Sequence, residues 1–243
     1  MARFLAAPRA RGVLVGALFL VTVSTGSDAE TAAGRLAGTV VLGPQLTVRR
    51  VKFDLYADPA RRSAPAEAPS LADEMQNVVV YLESVPAGRA PSPATAAPRE
   101  IGQEKLTFAP HVLPVVKGTT VEFPNRDTVF HNVFSLSKAA AFDLGRYPTG
   151  ASKSVRFSTP GVVKVFCHIH SDMSAIVLVL DNPYFGSPGT DGRFAIDGIP
   201  PGEYEVVAWH ERARRSARKV RIDAGRTTEV VFEIPLEERA DDG

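Results

Sequence analysis

Beyond an N-terminal apolar stretch, the chain is a succession of short runs rich in Val, Ile, Thr and Phe. Gly, Pro, Asn or Asp stops each one within a few residues. Nineteen glycines and nineteen prolines in 243 residues keep the runs short. Strands tolerate such frequent interruption, whereas helix interiors do not. No long segment places apolar residues at helical spacing. The expected fold class is therefore all-β. Strands are expected over 38–42, 48–56, 77–83, 112–116, 119–123, 129–135, 154–158, 161–167, 175–180, 193–196, 202–210, 217–222 and 227–234.

The first residues carry Arg3, Arg9 and Arg11, then an apolar run over 13–23 broken by Gly16 and Thr22, then Ser27-Asp28-Ala29. This order of charge, apolar run and small residues predicts a secretory signal peptide over 1–29. The run is shorter than the about 20 residues a membrane span needs; an uncleaved anchor is the competing reading. Cleavage would export the chain, to a periplasm or a similar compartment, with no transmembrane span left in it. It would also remove three Arg and one Asp, taking the formal net charge from +1 to about −1. Nothing in that balance attracts a polyanion, so nucleic acid is not an expected partner.

A single cysteine, Cys167, remains to be explained. Alone in an exported chain it cannot close an internal disulfide, and an exposed thiol would be open to oxidation. Burial as a small inert hydrophobe is the ordinary state of a free cysteine. Its neighbours argue otherwise. In Cys167-His168-Ile169-His170-Ser171-Asp172-Met173 a histidine follows at three residues and a methionine at six. Thiolate, imidazole and weak thioether from one loop need one more imidazole to make the trigonal site that suits electron-transfer copper. His131, in Phe130-His131-Asn132-Val133-Phe134, is the candidate.

Segments 58–70 and 85–98 are dense in Ala and Pro and should be exposed or extended. The run Thr190-Asp191-Gly192-Arg193-Phe194-Ala195-Ile196-Asp197-Gly198-Ile199-Pro200-Pro201-Gly202-Glu203-Tyr204-Glu205-Val206 resembles the second half of a carboxypeptidase regulatory-like, transthyretin-like β-sandwich. Ala37-Gly38-Thr39-Val40 and Asn77-Val78-Val79-Val80-Tyr81-Leu82 match its opening strands. The expected organisation is a sandwich built from 34–85 and 183–236, a linker over 86–100, and an inserted unit over 101–181.

Inside that unit the order of motifs resembles the cupredoxins, the plastocyanin and amicyanin group. These motifs are Val116-Lys117-Gly118-Thr119-Thr120-Val121-Glu122-Phe123-Pro124-Asn125, then His131-Asn132-Val133-Phe134, Ser154-Val155-Arg156-Phe157, Pro160-Gly161, Cys167, His170 and Met173. The short Cys-x2-His-x2-Met loop is most similar to the amicyanin type. More narrowly, the run from His131 to Asp143-Leu144-Gly145, with Asn182-Pro183-Tyr184-Phe185 and Ala208-Trp209-His210-Glu211-Arg212, resembles an exported cupredoxin-like family often labelled as methylamine utilisation proteins. The resemblance implies a Greek-key sandwich and one copper ion cycling between Cu(I) and Cu(II). His131 and His170 would bind through Nδ1, Cys167 as the strong sulfur ligand and Met173 as the long axial one. Asn132 would tie the two ligand loops together outside the ligand set.

Other residues take plainer readings. Strand alternation turns His168 away from Cys167, towards a supporting or solvent-facing role; an early end to the strand would let it compete with His170. His111 and His210 read as structural, and Asn125 and Asp127 as caps of the turn before His131. Phe130, Phe134, Phe142 and Phe166 read as apolar packing that keeps water from the metal. The basic run Arg212, Arg214, Arg215, Arg218, Lys219 and Arg221 would divide between two strand faces, which weakens it as a docking patch. The leading function is a one-electron carrier that is not itself an enzyme and serves an unidentified redox protein. A copper carrier using the same ligands, and a structural β-module without redox role, are the alternatives.

Overall fold

The structure, a computed structural model, describes residues 32–43, 70–86 and 99–234. The expected signal peptide, the strand expected over 48–56, most of the two Ala- and Pro-rich segments and residues 235–236 lie outside the described residues. All described residues belong to one unit spanning 31–243. Among them no helix is long and apolar enough to cross a membrane.

Among the described residues the protein is all-β, as expected, apart from one short helix. The elements before the metal-binding motifs are β1 (Gly34–Leu42), α1 (Leu71–Met75), β2 (Val79–Leu82), β3 (Arg99–Glu100), β4 (Gly102–Glu104) and β5 (Thr107–Ala109). There follow β6 (Val112–Val116), β7 (Thr119–Pro124), β8 (His131–Ser137), β9 (Ala140–Tyr147), β10 (Ser152–Phe157), β11 (Gly161–Phe166) and β12 (Ser174–Leu180). The last are β13 (Phe185–Gly186), β14 (Arg193–Ile199), β15 (Gly202–Trp209), β16 (Ser216–Ile222) and β17 (Thr227–Ile234).

Among the described residues the strands form five sheets: β4 and β5 pair as a separate two-stranded one, and the other four pack as two sandwiches. In one sandwich, sheet β6-β12-β11-β8-β9 packs against β10-β7-β3 through Val115, Phe123, Val133, Phe157, Val165, Val177 and their neighbours. In the other, sheet β14-β1-β17 packs against β13-β2-β15-β16 through Leu36, Val80, Ile196, Val206, Phe232 and others. The second sandwich is discontinuous in sequence. β1 lies between β14 and β17, and β2 pairs with β15 over Leu82↔Val206 to Val79↔Trp209. At Gly38 an added Cβ would lie 2.0 Å from the Val230 carbonyl oxygen, so only glycine admits β17 this close.

The two sandwiches share a third apolar layer. Strand alternation sends Ala175, Val177 and Val179 into the core of the first, and Ile176, Leu178 and Leu180 out of its other face. There they meet Val79 of β2 and Val112, with Tyr81, Phe185 and Trp209 packed alongside. Each fully buried aliphatic side chain in such a layer contributes about 1.5–3 kcal/mol.

Three local expectations need correction. Arg99 and Glu100, assigned to the linker, pair in parallel with Val121 and Glu122 and belong to the first sandwich. α1 falls where no helix was expected. It is a single turn closed by a capping box in which Ser70 and Asp73 satisfy each other's backbone N–H groups, an arrangement too short to leave a periodic signal. β9 was missed because it is a largely exposed edge strand, interrupted by Gly145 at φ 64°.

Candidate metal centre

His131 opens β8, and the loop before it is tied on both sides. Asn125 Nδ2 donates to the carbonyls of Val129 (2.9 Å) and Tyr147 (3.2 Å), while its Oδ1 accepts from Asp127 N (3.0 Å). The Asp127 carboxylate accepts from Lys105 N (2.6 Å), Leu106 N (2.9 Å) and His131 Nε2 (2.8 Å). Lys105 and Leu106 sit at φ 54° and 57°, the left-handed turn that points both amides at the carboxylate. Burial works against the charge on Asp127. The hydrogen bonds from Leu106, His131 and Lys105 outweigh it and hold the carboxyl below its ordinary pKa.

Cys167 follows the last residue of β11, and the loop to Met173 folds back at once. Met173 N donates to the His170 carbonyl (3.1 Å), and Cys167 N donates to the Met173 carbonyl (3.3 Å). This closure brings His170 Nδ1 to 3.7 Å from Cys167 Sγ. From across the sheet, His131 Nδ1 lies 3.9 Å from the same sulfur and 3.1 Å from His170 Nδ1. The two rings meet edge-on with centroids 4.8 Å apart. His131 and Cys167 are buried, and His170 is half-buried.

Because His131 Nε2 donates to Asp127, its Nδ1 presents a lone pair to the other two donors. Three electron-rich atoms so placed favour a cation or a proton among them. A metal fits. With bonds of about 2.0 Å to each nitrogen and about 2.3 Å to sulfur, the three separations correspond to angles of roughly 100°, 120° and 130°. These total about 350°, close to a flat trigonal arrangement and well above the roughly 330° of three tetrahedral angles.

Met173 is 1% exposed, in the same core cluster as Cys167. Asn132, also buried, donates through Nδ2 to Asp143 Oδ1 (2.6 Å), and its Oδ1 accepts from His168 N (3.4 Å), linking β8 and β9 to the residue after Cys167. His168 stays outside the ligand group. Its exposed ring stacks on Phe134 with centroids 3.7 Å apart and planes 7° from parallel.

Other residues fall differently from expectation. Phe130 is 56% exposed and shields nothing, because β8 begins one residue later and turns it outward. The basic run is dispersed: Arg212 pairs with Glu74, Arg215 with Glu83 and Glu205, and Arg221 with Asp223. Sequence reasoning missed the link from Asp127 to His131. The four-residue interval has no meaning on a strand or turn, and the Asx-type contacts of this region gave Asp127 a sufficient role as a cap.

No protein-family model and no curated protein matches the chain. Similar solved structures include a copper-containing nitrite reductase from Thermus scotoductus SA-01, at 26% identity and TM-score 0.34, over 36% of this chain and 23% of that one. This chain therefore spans less than a quarter of the reductase. A purple cupredoxin from Nitrosopumilus maritimus matches at 26% identity and TM-score 0.31, over 33% of this chain and 98% of that one. An oxidised methionine-to-leucine mutant of amicyanin matches at 24% identity and TM-score 0.32, over 33% and 80%.

Proposed function

We propose that the protein is an exported, mononuclear copper protein that carries single electrons and catalyses no reaction of its own. The observation that supports this reading best is the near-planar convergence of His131 Nδ1, Cys167 Sγ and His170 Nδ1. One thiolate and two imidazoles in a plane suit copper, whereas zinc prefers four ligands at tetrahedral angles. When bound, copper would supply one-electron chemistry by cycling between Cu(I) and Cu(II).

The protein's own part is to hold the donors still. His131 is fixed from behind by Asp127, and Cys167 by the backbone bond to Met173, so the donor set changes little between charge states. Burial of His131, Cys167 and Met173 excludes water from one side. Met173 serves in this reading as the weak axial donor. Half-buried His170 is the route by which an electron reaches the surface. Val129, Phe130 and Ile169, beside the ligands in sequence, are exposed apolar side chains of the kind a protein partner would cover. In this reading the partner is a redox protein, the compartment is the periplasm or its equivalent, and the second sandwich is a regulatory-like module. The methylamine utilisation label would belong to the same reading.

The test is the optical and paramagnetic-resonance spectrum of the purified protein loaded with Cu(II). An intense visible sulfur-to-copper band with narrow hyperfine splitting, lost in Cys167→Ala, is the expected result. A pale nitrogen and oxygen spectrum, unchanged in that variant, would overturn the reading. Ready surrender of the metal to a chelator without rapid redox exchange would favour a copper carrier instead.

A further inference from the structure

The end of the ligand loop is held by the other sandwich. His111, just before β6, places Nδ1 at 3.0 Å from the Ser174 carbonyl oxygen and Nε2 at 2.8 Å from Glu211 Oε1. Its own carbonyl accepts from Ile176 N (2.7 Å). Ser174 is the residue after Met173, so this imidazole grips the first peptide beyond the ligand loop. Glu211 belongs to the turn after β15, in the second sandwich.

That turn is itself rigidly held. His210, 1% exposed, lies with Nε2 3.2 Å from the buried carboxylate of Glu74, and Arg212 Nη1 donates to the other oxygen of Glu74 at 2.6 Å. Arg212 N donates back to His210 Nδ1 (3.2 Å), and Ala213 N to the His210 carbonyl (3.1 Å). Beside this polar bridge runs the apolar layer of Val79, Val112, Ile176, Leu178 and Leu180. The His111 and Glu211 side chains are 21% and 19% exposed, so solvent screens their pairing less than it would at an open surface.

We propose that His111 is a positioning residue for the metal centre, through which Glu211 of the second sandwich fixes Ser174 and thereby the closure of the 167–173 loop. The second sandwich then acts as part of the scaffold of the centre and not as an appended module. Within itself the seven-residue loop is closed by two backbone hydrogen bonds, Cys167 N to the Met173 carbonyl and Met173 N to the His170 carbonyl. Anchoring its downstream end to a separately packed layer restricts how far Met173 can move relative to Cys167. The functional consequence rests on the copper reading above; the geometric claim does not.

The experiment uses the full protein in four forms: wild type, Glu211→Ala, Glu211→Gln and Asp181→Ala. The last breaks the exposed Lys117–Asp181 pair at the opposite end of β12 and serves as control. Amide hydrogen exchange is measured without metal. In Glu211→Ala the Cys167 and Met173 amides are expected to exchange about tenfold faster than in wild type, with β7 and β10 unaffected. Glu211→Gln, which keeps an oxygen acceptor, is expected to restore most of the protection, and the control to change nothing at the loop. In copper-loaded protein, Glu211→Ala is expected to yield its metal to a chelator about tenfold faster and to shift the visible band.

Equal exchange at Cys167 and Met173 in wild type and Glu211→Ala would overturn the proposal. So would acceleration spread uniformly over the chain, or no rescue by Gln. If wild type takes up no copper, the copper reading fails while the exchange data still decide the role of His111.

Discussion

His131 and Asp127 are joined by a 2.8 Å hydrogen bond from Nε2 to Oδ2, and this bond determines which nitrogen of the ring faces Cys167. With Nε2 committed to Asp127, Nδ1 is the nitrogen aimed at the sulfur and at His170. The carboxylate is in turn positioned by two backbone amides of the β4–β5 turn, so the ring orientation is set by groups that do not touch the metal. Asp127→Ala is expected to lower copper affinity about 10–100-fold, with Asp127→Asn in between, as measured by competition with a chelator of known affinity.

The loop chemistry was more legible in the sequence than the supports around it. Cys167, His170 and Met173 lie within seven residues, and His131 stands beside a strand signature; the structure brings Cys167 and both histidines within 4.8 Å of one another. The pairing of β1 and β2 with strands more than 100 residues later was implied only by the resemblance of 37–40 and 77–82 to the opening strands of a regulatory-like sandwich. In the sequence Asp127 reads as a turn cap and His111 as structural, and Glu211 carries no role of its own. Apart from His131, four residues from Asp127, their partners lie 21 to 100 residues away, and no local pattern encodes such pairings. β9 escaped because its alternation, with Phe142 and Leu144 inward, is short and is broken at Gly145.

Met173 is packed in the core and shares its loop with two candidate ligands, so size and sulfur can be separated by substitution. Met173→Leu conserves volume and should cost less than about 1.5 kcal/mol in the metal-free protein. Met173→Ala should cost about 2–5 kcal/mol. Replacing the thioether by an apolar branch removes a donor and favours the less charged Cu(I) state, so the reduction potential of Met173→Leu is expected to rise. Urea unfolding and protein-film voltammetry give the two readouts.

Glu74 is buried between His210 and Arg212, with one carboxylate oxygen towards each. Glu74→Ala would leave the Arg212 guanidinium and the His210 ring without the carboxylate they enclose. The expected destabilisation is about 3 kcal/mol or more, seen as a lower urea midpoint. Glu83→Ala, by contrast, removes a partner of Arg215 at an exposed position, where about 0–1 kcal/mol is expected.

Tyr147 supplies the alkaline limit. Its hydroxyl donates to the Phe123 carbonyl (2.8 Å) and accepts from Gln103 Nε2 (2.6 Å), and the residue is 2% exposed in the core cluster that includes Cys167. Burial pushes its pKa from 10.0 to about 12; the Gln103 bond opposes this and the nearby Cys167 adds to it. The sign follows from proton counting. Between those values the unfolded chain has lost the phenol proton and the folded chain retains it, so stability falls as pH rises. The contribution is fully present below pH 10 and is lost progressively towards about pH 12. A shift of this size corresponds to roughly 3 kcal/mol over the interval. Tyr147→Phe should therefore flatten the alkaline decline in the urea midpoint, at a cost near neutral pH of about 1 kcal/mol for the lost hydrogen bond. An alkaline decline of the same slope in the variant would show that another group controls it.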